Sequence, residues 1–207
     1  LCAGIVAYGN IARKYHAPLL HALPGFELVK VLERNRNLAE QDYPKVQTVR
    51  TMAELLDDKE IDLVVITTPN QFHFAQAKAA LESGKHVVLE KPFTVSSIEA
   101  QMLEQIAEAE EHVGFGIATG RRYEDVMDLI DEYNMPHPEV LITSVGTEIY
   151  YGKNYTMDKS WQKHIDFRWE PERVREILDG VEGLFVQETH EQSTYKISYE
   201  VDFARSP

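Results

Sequence analysis

The sequence predicts an α/β fold built on a doubly wound parallel sheet, followed by a further α/β segment. Three observations carry that prediction. Apolar strand-like runs alternate with stretches of helical period through the first half, the pattern of a parallel sheet covered by helices on both faces. The 207 residues, 43% hydrophobic and 27% charged, suffice for one large or two small globular domains with a sizeable core. The longest apolar runs, such as "LVVITT", are too short to cross a bilayer, so a soluble chain without membrane partners is expected. A formal charge of −13 repels phosphate backbones and anionic membrane surfaces. Because Lys and Arg are scattered among carboxylates rather than gathered into a patch, no nucleic acid partner is expected either. Cys2, the single cysteine, can form no internal disulfide, and the N-terminal residues lack the basic segment and apolar core of a signal peptide. A reducing cytoplasm is the natural setting.

The first strand is "LCAGIVA", and the loop after it, "AYGNIARKYHAPLL", turns at Gly9 into a helix that opens at Asn10 and Ile11. Amides at such a turn suit a pyrophosphate. The positions of a G-x-G-x-x-G/A fingerprint hold Ala7, Gly9 and Ala12, so the first glycine is replaced. The second strand, "FELVKVL", ends in Glu33, where a carboxylate can hold the ribose hydroxyls of NAD; Arg34 and Arg36 follow and could meet the 2′-phosphate of NADP. NAD and NADP both stay open as cofactors, and the same three residues also read as a charged loop. A third strand, "IDLVVITT", stops at Thr67 and Thr68, is broken by Pro69, and presents Asn70 and His73 at the carboxyl edge of the sheet. Asn70 can cap the helix that Gly84 ends. A fourth strand, "KHVVLE", leads into Glu90, Lys91 and Pro92; a lysine there can donate a proton to, and orient, a substrate hydroxyl. Ser96 and Glu99 form a capping box ahead of a helix whose Val95, Ile98, Met102, Leu103 and Ile106 are assigned to the core.

Residues 1 to about 113 resemble the N-terminal domain of the Gfo/Idh/MocA oxidoreductases, the family of glucose-fructose oxidoreductase and inositol dehydrogenase. The stretches "AYGNIARKYHAPLL", "EIDLVVITTPNQFHFAQAKAALESGKHVVLEKPF" and "TVSSIEAQMLEQIAEAEEH" carry the likeness. It implies a Rossmann-like dinucleotide-binding domain and hydride transfer between nicotinamide and a sugar-like alcohol. It also implies that Lys91 lies beside nicotinamide and substrate, with Thr68, Asn70 and His73 lining the cofactor cleft. Ala7 departs from the pattern and crowds the pyrophosphate turn by one methyl.

The segment 114–207 follows a different pattern. "GFGIATGRRYEDVMDLI" gives a strand, a turn and a helix with Tyr123, Val126, Met127, Ile130 and Tyr133 on one face, and "PEVLITSVGTEIYYG" gives a strand ending at Thr143 and Ser144 before a hairpin. From about Gly114 through "KSWQKHIDFRWEPERVREIL" to "TYKISYEVD" the chain resembles the sucrose-phosphate phosphatase-like branch of the haloacid dehalogenase (HAD) superfamily. The fold expected is therefore a Rossmann-like sheet with a HAD-like α/β C-terminal extension. That likeness implies that Thr119 and the backbone of Gly120 bind a phosphate. It also implies an aspartate nucleophile in a D-x-D motif, a later lysine and Mg-binding acids, but no D-x-D follows an apolar strand and the sequence ends before the later motifs could occur. No metal site is expected. The oxidoreductase pattern also places a strand and two arginines here, so Arg121, Arg122 and Tyr123 satisfy both. The composite reading joins the two parents near His112 to Gly114. The strand-helix-strand order favours continuation of the first sheet through about Ser144, the alternative being a small separate lobe. Three functions compete: an oxidoreductase incomplete for catalysis, a non-catalytic chimera, and a phosphatase fragment lacking its nucleophile.

Overall fold

A computed structural model describes residues 1–109, 114–135 and 137–205. The chain divides into two compact units, Leu1–Val113 and Gly114–Pro207.

In the first unit, β1 (Cys2–Val6), β2 (Glu27–Leu32), β3 (Gln47–Val49), β4 (Leu63–Ile66) and β5 (His86–Leu89) form one parallel sheet in the order β3-β2-β1-β4-β5. Period-two alternation on the central strands creates two cores. On one face Ile5, Val31 and Val65 pack with Ala12, Ala17 and Leu20, from the π-helical turn Ala12–His16 and from α1 (Ala17–Ala22). On the other, Val6, Val64 and Ile66 pack under Leu55, Ala77, Ala80, Leu81 and Leu103. These come from α3 (Met52–Leu56), α4 (His73–Glu82) and α5 (Ser97–Ala109), while α2 (Leu38–Asp42) connects β2 to β3. Each fully buried Ile or Leu in these layers stabilises the unit by roughly 1.5–3 kcal/mol. Gly4 is needed where α3 comes down on β1: a Cβ there would sit 3.0 Å from the Leu55 side chain.

Two details differ from the sequence-based expectation. Asn70 does not cap α4, because a 3₁₀ turn, Asn70–Phe72, intervenes and Phe72 occupies the N-cap position of the helix; Gly84, at φ 69°, does end it, directly after the C-cap Ser83. On α5 the Ser96 hydroxyl accepts the Glu99 amide, as a cap should, but only part of the predicted apolar set is core. Leu103 and Ala107 are buried, whereas Val95, Ile98 and Met102 are exposed. Ile98 and Met102 lie about 140° and about 100° around the helix from Leu103, so the face that packs on α4 buries Leu103 and leaves those two outside.

In the second unit, β6 (Gly116–Ala118) runs parallel to β7 (Val140–Thr143) through α6 (Tyr123–Glu132). β7 forms an antiparallel hairpin with β8 (Glu148–Tyr151), and β9 (Thr156–Met157) completes a sheet of order β6-β7-β8-β9. Val126, Ile130, Leu141 and Tyr150 are its core, with Tyr123 and Met127 packed against them. The helices α7 (Lys159–Asp166) and α8 (Pro171–Leu178) and the ribbon of β10 (Leu184–Val186) with β11 (Tyr199–Val201) follow.

The expected continuation of the first sheet through Ser144 is therefore corrected. Among the described residues β5 pairs with β4 alone, and β6 with β7 alone. The hairpin that sets Thr143 opposite Glu148 is local and cheap to close, so β7 takes its second partner from its own neighbourhood. The expected junction near His112 falls largely outside the described residues. No helix among the described residues is long and apolar enough to cross a membrane.

Candidate functional site

Strands run outward from β1 to β3 on one side of the sheet and from β4 to β5 on the other, so the chain reverses its direction of travel between β1 and β4. Loops at the carboxyl ends of strands diverge at such a point and leave a crevice. A cleft of about 380 Å³ opens there, walled by Ala7 after β1, Glu33 to Arg36 after β2, and Thr68 and Pro69 after β4.

Each wall is held by its own bonds. The turn after β1 is pinned by the Thr67 hydroxyl, which donates to the carbonyls of Val6 and Ala7 at 3.1 and 3.0 Å. Ala7 itself adopts φ 72°, the left-handed region that glycine enters freely and alanine does not. Two residues on, a Cβ built on Gly9 would meet nothing within 4 Å, so the backbone there faces open space. That opening, beside Asn10 and Ile11, suits the close approach of a phosphate group.

The second wall is tied down by hydrogen bonds from two sides. Glu33 is buried, and its Oε1 accepts the Ala39 amide of α2 at 2.8 Å. The Arg50 guanidinium donates from Nη1 to the carbonyls of Glu33 and Arg36, both at 2.7 Å, and from Nη2 to Asn37 Oδ1. Arg34 and Arg36 are exposed, line the cleft, and enter no ion pair among the described residues. Below them, Tyr8 donates to Asp42 at 3.1 Å and Arg13 grips the same carboxylate with two bonds, at 2.7 and 2.9 Å. Arg13 thereby holds Asp42 below the usual carboxylate range. Burial, then the Asp42 bond, pushes the Tyr8 phenol up, so Tyr8 stays a neutral donor.

The third wall ties two strand ends together. Thr68 donates to Gln76 Oε1 at 2.6 Å. His73 is completely buried, with Nε2 2.7 Å from the Thr68 carbonyl and Nδ1 2.9 Å from the Pro92 carbonyl. The expectation that His73 lines the cofactor cleft is therefore corrected. Its ring has no access to a ligand, because both nitrogens face backbone oxygens. It fixes the loop after β4 against the segment after β5. There Glu90 contacts His16 Nε2 at 2.7 Å and also accepts the Lys91 amide, while Lys91 itself is exposed and the Lys91–Pro92 peptide is cis. Asn70 is exposed and lies outside the cleft lining.

In the second unit the Thr119 hydroxyl accepts the Arg121 amide at 3.2 Å, and the Thr119 carbonyl accepts the Val145 amide. Gly120 lies close to Val145, within 3.3 Å of a would-be Cβ, and Ser144, Val145 and Gly146 all have positive φ. Glu148 accepts the hydroxyls of Thr143, Ser144 and Tyr150, fixing this turn from below. Among the described residues no group of three His, Cys, Asp or Glu side chains could hold a metal ion.

Sequence reasoning missed Tyr8, Asn35, Phe72 and Gln76, all in the cleft lining. The spacing of Phe72 and Gln76, one turn apart just after Thr68-Pro69, was a usable signal for the last two.

The family model for oxidoreductases with an NAD-binding Rossmann fold (Gfo/Idh/MocA) matches residues 1–119, and that for sucrose-6F-phosphate phosphohydrolase matches residues 93–207. The uncharacterized oxidoreductase YdgJ of Escherichia coli is 43% identical over 106 residues, 51% of this chain and 31% of that protein. The scyllo-inositol 2-dehydrogenase (NADP(+)) IolW of Bacillus subtilis is 31% identical over 153 residues, 66% of this chain and 42% of that protein. A crystal structure of an oxidoreductase from Bacillus cereus superposes with a TM-score of 0.52 at 31% identity, covering 55% of this chain and 33% of that one. The chain thus spans well under half the length of these relatives.

Proposed function

Because the chain belongs through residues 1–119 to the Gfo/Idh/MocA oxidoreductase family, with its NAD-binding Rossmann fold, and through residues 93–207 to the sucrose-6F-phosphate phosphohydrolase family, we propose that its first unit binds NAD or NADP. The observation that carries this reading is the cleft at the β1/β4 switch point, with Ala7, the Glu33 loop and Thr68 in its walls. When bound, the nicotinamide would accept or give a hydride at the carbon of a sugar-like or polyol substrate. In this reading the backbone around Gly9, Asn10 and Ile11 receives the pyrophosphate and the Glu33–Arg36 loop takes the adenosine ribose. Thr67, Thr68, Pro69 and Asn70 shape the far side. Lys91, on the neighbouring strand end with Glu90 holding its amide, moves a proton to or from the substrate hydroxyl.

Calorimetric titration with NAD, NADH, NADP and NADPH at moderate salt tests the reading. Micromolar binding supports it, and no binding to a folded sample sinks it. Lys91→Ala is expected to leave dinucleotide binding within about threefold while abolishing any hydride transfer; unchanged turnover would remove Lys91 from its role.

A second reading draws on the match over residues 93–207. The two family matches overlap at residues 93–119, consistent with a composite chain in which a phosphatase-like segment follows the cofactor domain. Thr119 and Gly120 would then offer a weak phosphate site without hydrolysis. Stabilisation by a sugar phosphate, lost in Thr119→Val, would support it.

A further inference from the structure

We infer that His16 is a positioning residue for Lys91, acting through the Glu90 carboxylate; this rests on the reading in which Lys91 moves a proton beside a bound nicotinamide. The ladder between β4 and β5 closes one residue short of that lysine. Ile66 pairs with Leu89, and the Glu90 amide donates to the Ile66 carbonyl at 3.1 Å. The next amide, that of Lys91, donates instead to Oε2 of the Glu90 side chain, at 3.1 Å. A carboxylate bound only to its neighbour's amide would still turn about its own side-chain bonds. Its other oxygen removes that freedom. Oε1 lies 2.7 Å from His16 Nε2 and, because a carboxylate only accepts, the ring nitrogen donates. The two side chains are 21% and 26% exposed, so the bond lies partly out of water, where it is stronger than at the surface.

His16 is itself well anchored. It ends a π-helical turn in which the Ala17 amide reaches the Ala12 carbonyl, a form of backbone that recurs at functional sites. Ala12 and Ala17 are completely buried, and Arg13 on the same turn is gripped by Asp42. From the other direction, His73 Nδ1 lies 2.9 Å from the Pro92 carbonyl. The backbone of Lys91 is thus held before it by Glu90 and after it by Pro92, while its side chain stays exposed. A group that transfers a proton has to be held to within about half an ångström of its working place. Glu90 meets that need only as long as His16 fixes it.

The test follows the Lys91 amide resonance in the full chain, labelled with heavy-nitrogen lysine, the peak being identified by its loss in Lys91→Arg. His16→Phe keeps a ring and removes the donor, whereas His16→Gln keeps an N–H of similar reach. The Lys91 amide is expected to exchange with water at least about tenfold faster in His16→Phe, and to return to within about threefold of the parent in His16→Gln. Saturating NADH or NADPH should move the Lys91 peak in the parent and in His16→Gln. In His16→Phe that movement should fall to less than about half, because a loosened lysine spends less time beside the ring. Unchanged peaks from the other lysines show that each variant is folded. Equal exchange and equal movement in the parent and in His16→Phe would overturn the inference and leave the dinucleotide reading standing. Failure of His16→Gln to restore either would overturn it too, since ring packing rather than the donor would then hold Glu90. A dinucleotide that binds without moving the Lys91 peak would take Lys91 away from the nicotinamide, and the inference with it. Failure of both dinucleotides to bind the folded parent would overturn the dinucleotide reading itself.

Discussion

Ala7 shows how much one residue can declare in a sequence and how much it withholds. The missing glycine of the fingerprint is legible at once, but its consequence is a backbone one: φ of 72°, a conformation costing an L side chain about 1 kcal/mol or more. Ala7→Gly is expected to stabilise the protein by about 0.5–1 kcal/mol, the relieved strain exceeding the extra freedom of the unfolded chain. Urea unfolding should show the midpoint rising, and a lowered midpoint would mean that the turn is not strained. Glu33 and His73 were legible as residues of the right type at the right strand ends. Burial was not: a carboxylate that accepts an amide six residues away, and an imidazole between two carbonyls, depend on how loops fold back. No local pattern encodes that.

At the scale of elements, β1, β2, β4 and β5 were readable because each presents at least four consecutive residues of apolar bias. β3, with three residues, and α2 and α3, with five each, are shorter than the periods that would reveal them. α3 nevertheless carries a full capping box. Thr51 Oγ1 accepts the Glu54 amide, and the Glu54 carboxylate accepts the Thr51 amide. Thr51→Ala is expected to cost about 1 kcal/mol, and thermal melts would register it as a loss of several degrees for a unit of this size. A change too small to measure would mean that packing of Leu55 alone holds α3. The error on α5 was of another kind. Helical period finds apolar stripes but does not choose between two of them, and only contact with α4 selected Leu103 over Ile98.

For the whole molecule, acidity is the property that composition announces and structure distributes. Asp42 is held down chiefly by its bond from Arg13, Asp58 by Lys30, Glu54 by Thr51 and Asp158 by Ser160. A carboxylate depressed in the folded state contributes stability that is complete above its unfolded pKa, near 4, and is lost as pH falls through the folded value. The melting temperature should accordingly drop as pH is lowered below about 4, and Asp42→Asn should start lower but decline less over that range. A variant that falls as steeply as the parent would show that Asp42 takes no part. The division into separate sheets was not legible, because strand, helix and strand succeed each other across residue 114 without a break in pattern, and pairing is settled by the hairpin beyond. The bridge made by His73 has a consequence for how this protein can diverge. Both of its contacts end on main-chain oxygens, of Thr68 and Pro92, so the bridge makes no demand on the side chains at those two positions. A changed side chain at position 68 or 92 can therefore leave this bridge in place, and the two strand ends keep their register through the ladder as well, where Ile66 pairs with Leu89 and the Glu90 amide reaches the Ile66 carbonyl.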